Sequence, residues 1–464
     1  MLEKIFKAYD VRAIYPDMLD EQAAWKIGFA TARFLAEGRS GTILVSRDMR
    51  PSSTSLCEAL AEGIRCAGCD VIDLGLCDTS IIYFAVNHLG AIGGIQTTAS
   101  HNPIEYNGFK ISGREARPIG ADTGLREIQQ IAIDLPADHG PGRLEVKGRY
   151  EQQDLWGPYR EHILSFFTPP RKPTKVFVDA SNGMAGVLVP KVFEGLENLE
   201  IIPLNFEIGK GFAHEPNPLV AENMVPTRQG VGQHRAGLGA CFDGDADRCM
   251  FTDEKGNILG CDHLTALLTT RFAEKYAPTA IAYDLRSSKV VEETIVAHQC
   301  RPVRSRVGHV FMKAALREHG AVFGGELSGH FYYRDNYNAD SGAITFALVV
   351  SMLGQQERPM SELIAPFLKY PQSGEINFRV EDKDAVLATL RRRYGGTAGV
   401  DDLDGVTIDA WDRPAAEGGG FWFNVRPSNT EPLLRFNAEA QDEQTLARLL
   451  DEIQPLLGER VEGH

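Results

Sequence analysis

Thr42-Ile43-Leu44-Val45-Ser46-Arg47-Asp48-Met49-Arg50-Pro51-Ser52-Ser53 is a short apolar strand that runs into a polar loop. A helical run with Leu56, Leu60 and Ile64 on one face follows it. The same order recurs twice. Residues 175–178 precede the loop DASNGMAG, and residues 280–283 precede DLRSSK, whose helix shows Val290, Thr294, Ile295 and His298 at 3.6-type spacing. Each loop places polar groups after a strand's carboxyl end, where open α/β sheets bind ligands. Units spaced roughly 110–130 residues apart predict a repeated α/β domain.

Outward from these units, Gly-, Pro- and charge-rich stretches mark the joints: 137–148 (ADHGPGRLEVKG), 168–173 (TPPRKP) and 368–374 (LKYPQSG). Beyond the last joint, strands are expected at 375–380, 407–411, 420–425 and 433–438, with helices near 384–394 and 443–457. That pattern is a small antiparallel sheet packed by two helices. The expected division is 1–147, 148–257 and 258–369 as α/β domains and 370–464 as an α+β domain.

Composition sets outer limits. The 464 residues carry 48 Lys plus Arg against 63 Asp plus Glu, a formal net charge of −15. Nucleic acid as a partner is therefore not expected, because binding it requires a basic surface. The most apolar stretch, 344–353, is about half the ~20 residues a bilayer needs, and Thr345 and Ser351 interrupt it. The start, with Glu3, Lys4, Lys7 and Asp10, lacks the apolar segment of a secretory leader. A soluble cytoplasmic protein, monomer or small homo-oligomer, is expected. Cys66 and Cys69 have CxxC spacing but close a helix rather than open one, so the dipole does not activate them. They are expected to be buried or semi-buried thiols.

Four segments carry chemistry. In Thr97-Thr98-Ala99-Ser100-His101-Asn102-Pro103, small hydroxyl residues crowd a strand end where a serine can face outward as nucleophile. Lys110 is close enough in sequence to serve the same site as acid or base. In Asp243-Gly244-Asp245-Ala246-Asp247-Arg248, alternate carboxylates point one way and repel by ~1–4 kcal/mol per pair at ~4 Å, which a bound cation relieves. All-oxygen donors favour Mg²⁺ or Ca²⁺ over zinc. An EF-hand is a poor fit, since Arg248 stands where its loop needs Gly; a phosphatase with a nucleophilic Asp would usually have Thr or Val where Asp247 stands. In Gly324-Gly325-Glu326-Leu327-Ser328-Gly329-His330, Glu326 and Ser328 can bracket a sugar diol between glycines that allow close approach. In Arg426-Pro427-Ser428-Asn429-Thr430-Glu431-Pro432, a guanidinium fork beside hydroxyl and amide donors suits a phosphate dianion.

TTASHNP, DGDADR, GELSGH and RPSNTEP, in this order and one per domain, resemble the alpha-D-phosphohexomutase superfamily over essentially the full length. GELSGH looks most like its phosphomannomutase/phosphoglucomutase branch. The resemblance implies three topologically similar α/β domains with mixed sheets and a smaller α+β C-terminal domain around a central cleft. It implies that Ser100 carries phosphate, that Asp243, Asp245 and Asp247 hold Mg²⁺ against it, and that Lys110 is the acid/base. It assigns Glu326 and Ser328 to the sugar hydroxyls, and Arg426, Ser428, Asn429 and Thr430 to the non-reacting phosphate. Arg248 and His309 join the catalytic groups, and Tyr9, Arg12, Arg286 and His330 face the substrate. Ala13 stands where the family usually has Gly. The implied reaction interconverts hexose 1-phosphate and hexose 6-phosphate of mannose or glucose, with a hexose 1,6-bisphosphate as intermediate and activator. The alternatives are a phosphoglucosamine mutase, a sugar-phosphate-binding regulator without catalysis, and a metal-dependent phosphatase. A hinge at 370–374 is expected, so that the last domain opens and closes on the ligand.

Overall fold

A computed structural model describes residues 2–428 and 433–461. Its first sheet has the order Val11–Ile14, Tyr106–Gly113, Gly93–Thr97, Thr42–Arg47, Asp70–Leu76, Tyr150–Gln152. Thr42–Arg47 runs parallel to both neighbours, and Gly93–Thr97 pairs antiparallel with Tyr106–Gly113. The second sheet (Cys249–Thr252, Leu238–Phe242, Thr174–Asp179, Leu199–Leu204) repeats that arrangement strand for strand. So does the third, with Phe331–Tyr333, Ala321–Gly325, Ala280–Asp284 and Arg301–Ser305, plus an edge strand Ala339–Asp340. The repeated α/β unit expected from the strand–loop–helix pattern is therefore a repeat of topology.

The equivalence extends to the motif loops. Ser100, the acidic triplet and Glu326 each lie in the connection from a unit's third strand to its antiparallel fourth. The loop after each central strand is also alike: Asp48, Asp179 and Asp284 each accept the backbone N–H two residues on, at 3.0, 2.9 and 2.9 Å. A carboxylate at a strand end closes a tight turn in this way and turns the chain into its helix.

Packing joins the three units and sets the fourth apart. One apolar cluster runs through all three, from Leu44 and Phe84 through Val178 and Phe242 to Phe323 and Phe346. The other face of each sheet has its own core, large for the first and small for the second and third. The helix Gly342–Gly354, expected with the third unit, packs on strands of the second sheet. The first sheet also takes in Tyr150–Gln152, beyond the boundary expected at 147, because that strand pairs parallel with Asp70–Leu76.

The last region is an antiparallel sheet in the order Gly399–Asp401, Val406–Asp409, Phe421–Pro427, Leu433–Ala440, Ile376–Arg379, Glu459–Val461, with helices Lys383–Tyr394 and Glu443–Ile453. The strands Gly399–Asp401 and Glu459–Val461 were not expected; both are short, exposed edges with no apolar alternation to announce them. Its apolar cluster is separate from the others. Cys66 ends the helix Ser53–Cys66, and both CxxC thiols are buried, which raises their pKa. Among the described residues no helix is long and apolar enough to cross a membrane.

Candidate functional site

The loop bearing Ser100 is held from beneath by a residue far from it in sequence. Arg50 is buried and donates to the backbone carbonyls of Ser100, Asn102 and Tyr106 at 2.9, 2.7 and 3.0 Å, and also to that of Pro103. Its charge is matched by Asp48, which takes Arg50 Nε at 3.1 Å and Thr98 Oγ1 at 2.7 Å. A guanidinium suits this work because five donors diverge from one plane. Ser100 itself has φ +50, a left-handed conformation uncommon for residues other than glycine, which the surrounding bonds sustain.

The acidic loop meets this one directly. Ser100 Oγ donates to Asp243 Oδ2 at 3.1 Å and lies 3.2 Å from His101 Nδ1. The contact requires Gly244, since a Cβ there would sit 2.3 Å from the Ser100 carbonyl oxygen. Across the acidic loop, Thr79 N donates to the Asp245 carbonyl at 3.0 Å and Met184 N to that of Gly244 at 2.9 Å. One carboxylate oxygen from each of Asp243, Asp245 and Asp247 lies within 4.8 Å of the others. Lys110 Nζ donates to Asp245 Oδ2 at 2.7 Å and Asp247 Oδ2 at 2.5 Å, and Arg248 Nε to Asp243 Oδ2 at 3.0 Å.

The electrostatics follow from burying this many charges together. Burial pushes Asp243 up to about 7, with Asp247 and Asp245 adding to it and Arg248 opposing. Burial would also raise Asp247, but Lys110, His330 and Arg248 outweigh it and hold the group well below the usual carboxylate range. His101, half-buried and 2.7 Å from Arg248, is held neutral by desolvation and that guanidinium. Among the described residues, the buried Oδ1 atoms of Asp245 and Asp247 have no hydrogen bond. Three carboxylates, two of them with an unfilled oxygen, beside a serine hydroxyl fit a hard divalent cation.

The third motif closes the other wall. Glu326 accepts from Gly308 N at 2.8 Å and from the Tyr332 hydroxyl, while Ser328 Oγ lies 3.0 Å from His330 Nδ1. Burial and the nearby Asp284 raise the Glu326 pKa. His330 Nε2 is 3.6 Å from Asp247 Oδ1. His309 opens the helix His309–His319, and its ring meets Tyr9 edge-on at 5.2 Å. Burial, with Lys313 nearby, lowers its pKa to about 3. Tyr9, Arg12, Ser100, His101, Asn102, Lys110, His309 and His330 line one cavity of about 780 Å³.

Arg286 and Arg426 sit apart from that cavity wall, at the seam between the third unit and the last. Arg286 is paired with Asp284, whose Oδ2 also takes Leu327 N at 3.2 Å, so this cluster abuts the Glu326 loop. Both guanidiniums reach Glu375, from Arg286 Nη1 at 3.0 Å and from Arg426 Nη2 at 3.3 Å. Ser428 N bonds the Leu433 carbonyl at 2.9 Å, and Asn429 and Thr430 lie outside the described residues. Sequence reasoning missed Asp48, Arg50, Tyr332 and Glu375. Asp48-Met49-Arg50 and Asp284-Leu285-Arg286 share a strand-end Asp-x-Arg spacing, which was the available signal for the first two.

Comparison with known proteins covers every unit. Family models described as phosphoglucomutase/phosphomannomutase alpha/beta/alpha domains I, II and III match residues 3–135, 158–256 and 261–370, and the C-terminal domain model matches 375–456. A phosphomannomutase of Salmonella montevideo is 38% identical over 445 residues, 94% of each chain. A Xanthomonas campestris protein named phosphohexose mutases is 38% identical over 447 residues, 95% of this chain and 96% of its own. The crystal structure of a phosphoglucomutase/phosphomannomutase family protein from Burkholderia thailandensis superposes with a TM-score of 0.86 at 30% identity, covering 98% of this chain and 97% of the other.

Proposed function

The chain belongs to the phosphoglucomutase/phosphomannomutase family and is an enzyme of the phosphomannomutase type, and from that premise we propose that it interconverts the 1- and 6-phosphates of mannose or glucose through a phosphoserine at Ser100. The observation that carries the reading is the 3.1 Å approach of Ser100 Oγ to Asp243, which joins the serine loop and the acidic loop in one centre. Mg²⁺ held by Asp243, Asp245 and Asp247 would neutralise charge on the transferring phosphoryl group.

The attacking hydroxyl of hexose 1-phosphate forms a new bond to phosphorus as the bond from phosphorus to Ser100 Oγ breaks. Lys110, already an ammonium bound to two carboxylates, is arranged to supply positive charge and a proton to the departing Ser100 oxygen. The proton of the attacking hydroxyl then restores the Lys110 ammonium, and His309, a weak base because it is desolvated, meets the substrate from the same cavity. Arg248, packed between Asp243 and His101, faces the phosphoryl oxygens. Glu326 and Ser328 grip the sugar hydroxyls, with His330, Tyr9 and Arg12 around them. Arg426, Ser428, Asn429 and Thr430, with Arg286, hold the phosphate that is not reacting. The hexose 1,6-bisphosphate then turns over in the cleft and returns its other phosphate to Ser100. The separate core of the last domain supports a hinge near residues 370–374, which keeps the bisphosphate captured during that turn.

A coupled assay on mannose 1-phosphate and glucose 1-phosphate, with and without a hexose 1,6-bisphosphate, tests the activity; the 6-phosphate isomer is expected, and release of inorganic phosphate instead would refute it. Intact mass of the wild type against Ser100→Ala tests the phosphoserine. A phosphate retained in the variant would move it elsewhere.

A further inference from the structure

Glu375 opens the last domain and lies where three guanidiniums converge. Its Oε2 accepts from Arg286 at 3.0 Å and Arg426 at 3.3 Å, and its Oε1 from Arg435 at 2.7 Å. Two of these arginines belong to the last domain and one to the third unit, so the carboxylate ties the two across their seam. The arginines at its core are enclosed, with side chains 7% exposed for Arg286 and 4% for Arg426, while that of Glu375 is 23% exposed. Among the described residues, Arg426 Nε is buried without a hydrogen bond. Gly405 keeps the arginine in place from behind, since a Cβ there would lie 2.7 Å from Arg426 Cβ.

The charges are informative. Three guanidiniums against Asp284 and Glu375 leave a single net positive charge. With Glu375 withdrawn the cluster carries two, which matches a phosphate monoester of about −1.5 to −2. A carboxylate forked onto guanidiniums is also the nearest thing a protein has to a phosphate in shape and donor demand. Much of the rest of the seam is polar, with Lys289–Asp409 at 2.8 Å and Arg304–Asp401 at 2.6 Å beside a ring contact of Tyr370 with Trp411, and among the described residues no buried apolar cluster spans it, so it can open and re-form.

We propose that Glu375 is a built-in competitor for the substrate's phosphate: its carboxylate occupies the Arg286–Arg426 grip in the ligand-free enzyme, and the phosphate takes its place. The proposal rests on Arg426 being the phosphate grip. Glu375 therefore weakens binding by design, and its return would help eject a phosphate at the end of turnover.

Isothermal titration of inorganic phosphate into the full chain tests this. Glu375→Gln keeps the shape and removes the charge, so phosphate should bind about fivefold tighter or more. The gain should vanish when Arg426→Ala is added. Glu375→Asp, with a stem too short to reach all three arginines, should shift affinity in the same direction and serves if the Gln variant does not fold. Unchanged or weaker binding in these variants overturns the proposal, because a carboxylate that merely positions the arginines would loosen phosphate when removed. The titration needs no turnover: tighter binding in a chain without mutase activity would sink the mutase reading alone, and an active mutase with unaltered phosphate affinity would sink this one alone.

Discussion

Gly244→Ala asks whether the approach of the two loops governs the chemistry. The added Cβ would lie 2.3 Å from the carbonyl oxygen of Ser100 and 3.6 Å from Pro216 Cβ. An ordinary C···O contact is about 3.3 Å, so the loops must part by about 1 Å. The acidic loop has no room to retreat. Behind it Gly183 already lies so close that a Cβ there would be 2.6 Å from the Gly244 carbonyl, and Met184 N and Thr79 N hold the loop by its carbonyls. The Ser100 loop must therefore yield against the Arg50 fan. A shift of ~1 Å between reacting groups costs on the order of 10²-fold in rate, which is about 2.7 kcal/mol of barrier. The accompanying overpacking should cost roughly 1–3 kcal/mol of stability. The assay is saturating initial rate on hexose 1-phosphate beside a thermal melt, with Gly232→Ala, where a Cβ meets nothing within 4 Å, as control. A kcat within about threefold of wild type in a folded Gly244→Ala protein, against the ~10² expected, would refute the reasoning.

Arg426→Ala should raise KM for hexose phosphates roughly ten- to a hundredfold, from the ~1.5–3 kcal/mol of a charged hydrogen bond, with little change in kcat; steady-state kinetics checks it. Arg50→Ala leaves Asp48 buried and unpaired and should cost about 3–5 kcal/mol, read as a lowered unfolding midpoint together with loss of turnover. Asp78 is buried beneath the active loops with its pKa raised by burial to about 7, against 3.8 in the unfolded chain. The folded state thus holds a proton that the unfolded state has lost, and stability falls as pH rises toward 7. Asp78→Asn should flatten that decline between about pH 5 and 7 in melts run against wild type.

The family of this protein was legible because its motifs are written locally. Three acids at alternate positions of DGDADR, or an Arg beside Ser, Asn and Thr, declare a charge and a donor set within a few residues. The repeat was legible too, since each strand, loop and helix has its own periodicity. The partners were not. Lys110 meets Asp245 across 135 residues and Arg50 meets Ser100 across 50, and no local pattern encodes such a pairing. Tertiary folding alone revealed that three of the four motif loops are topologically the same loop, each carrying different polar side chains. It likewise gave Glu375, an unremarked acid after a linker, three arginine partners from two domains. A side chain carries its charge wherever it stands, but the depth of its burial and the identity of its counter-charge exist only once distant segments have packed together.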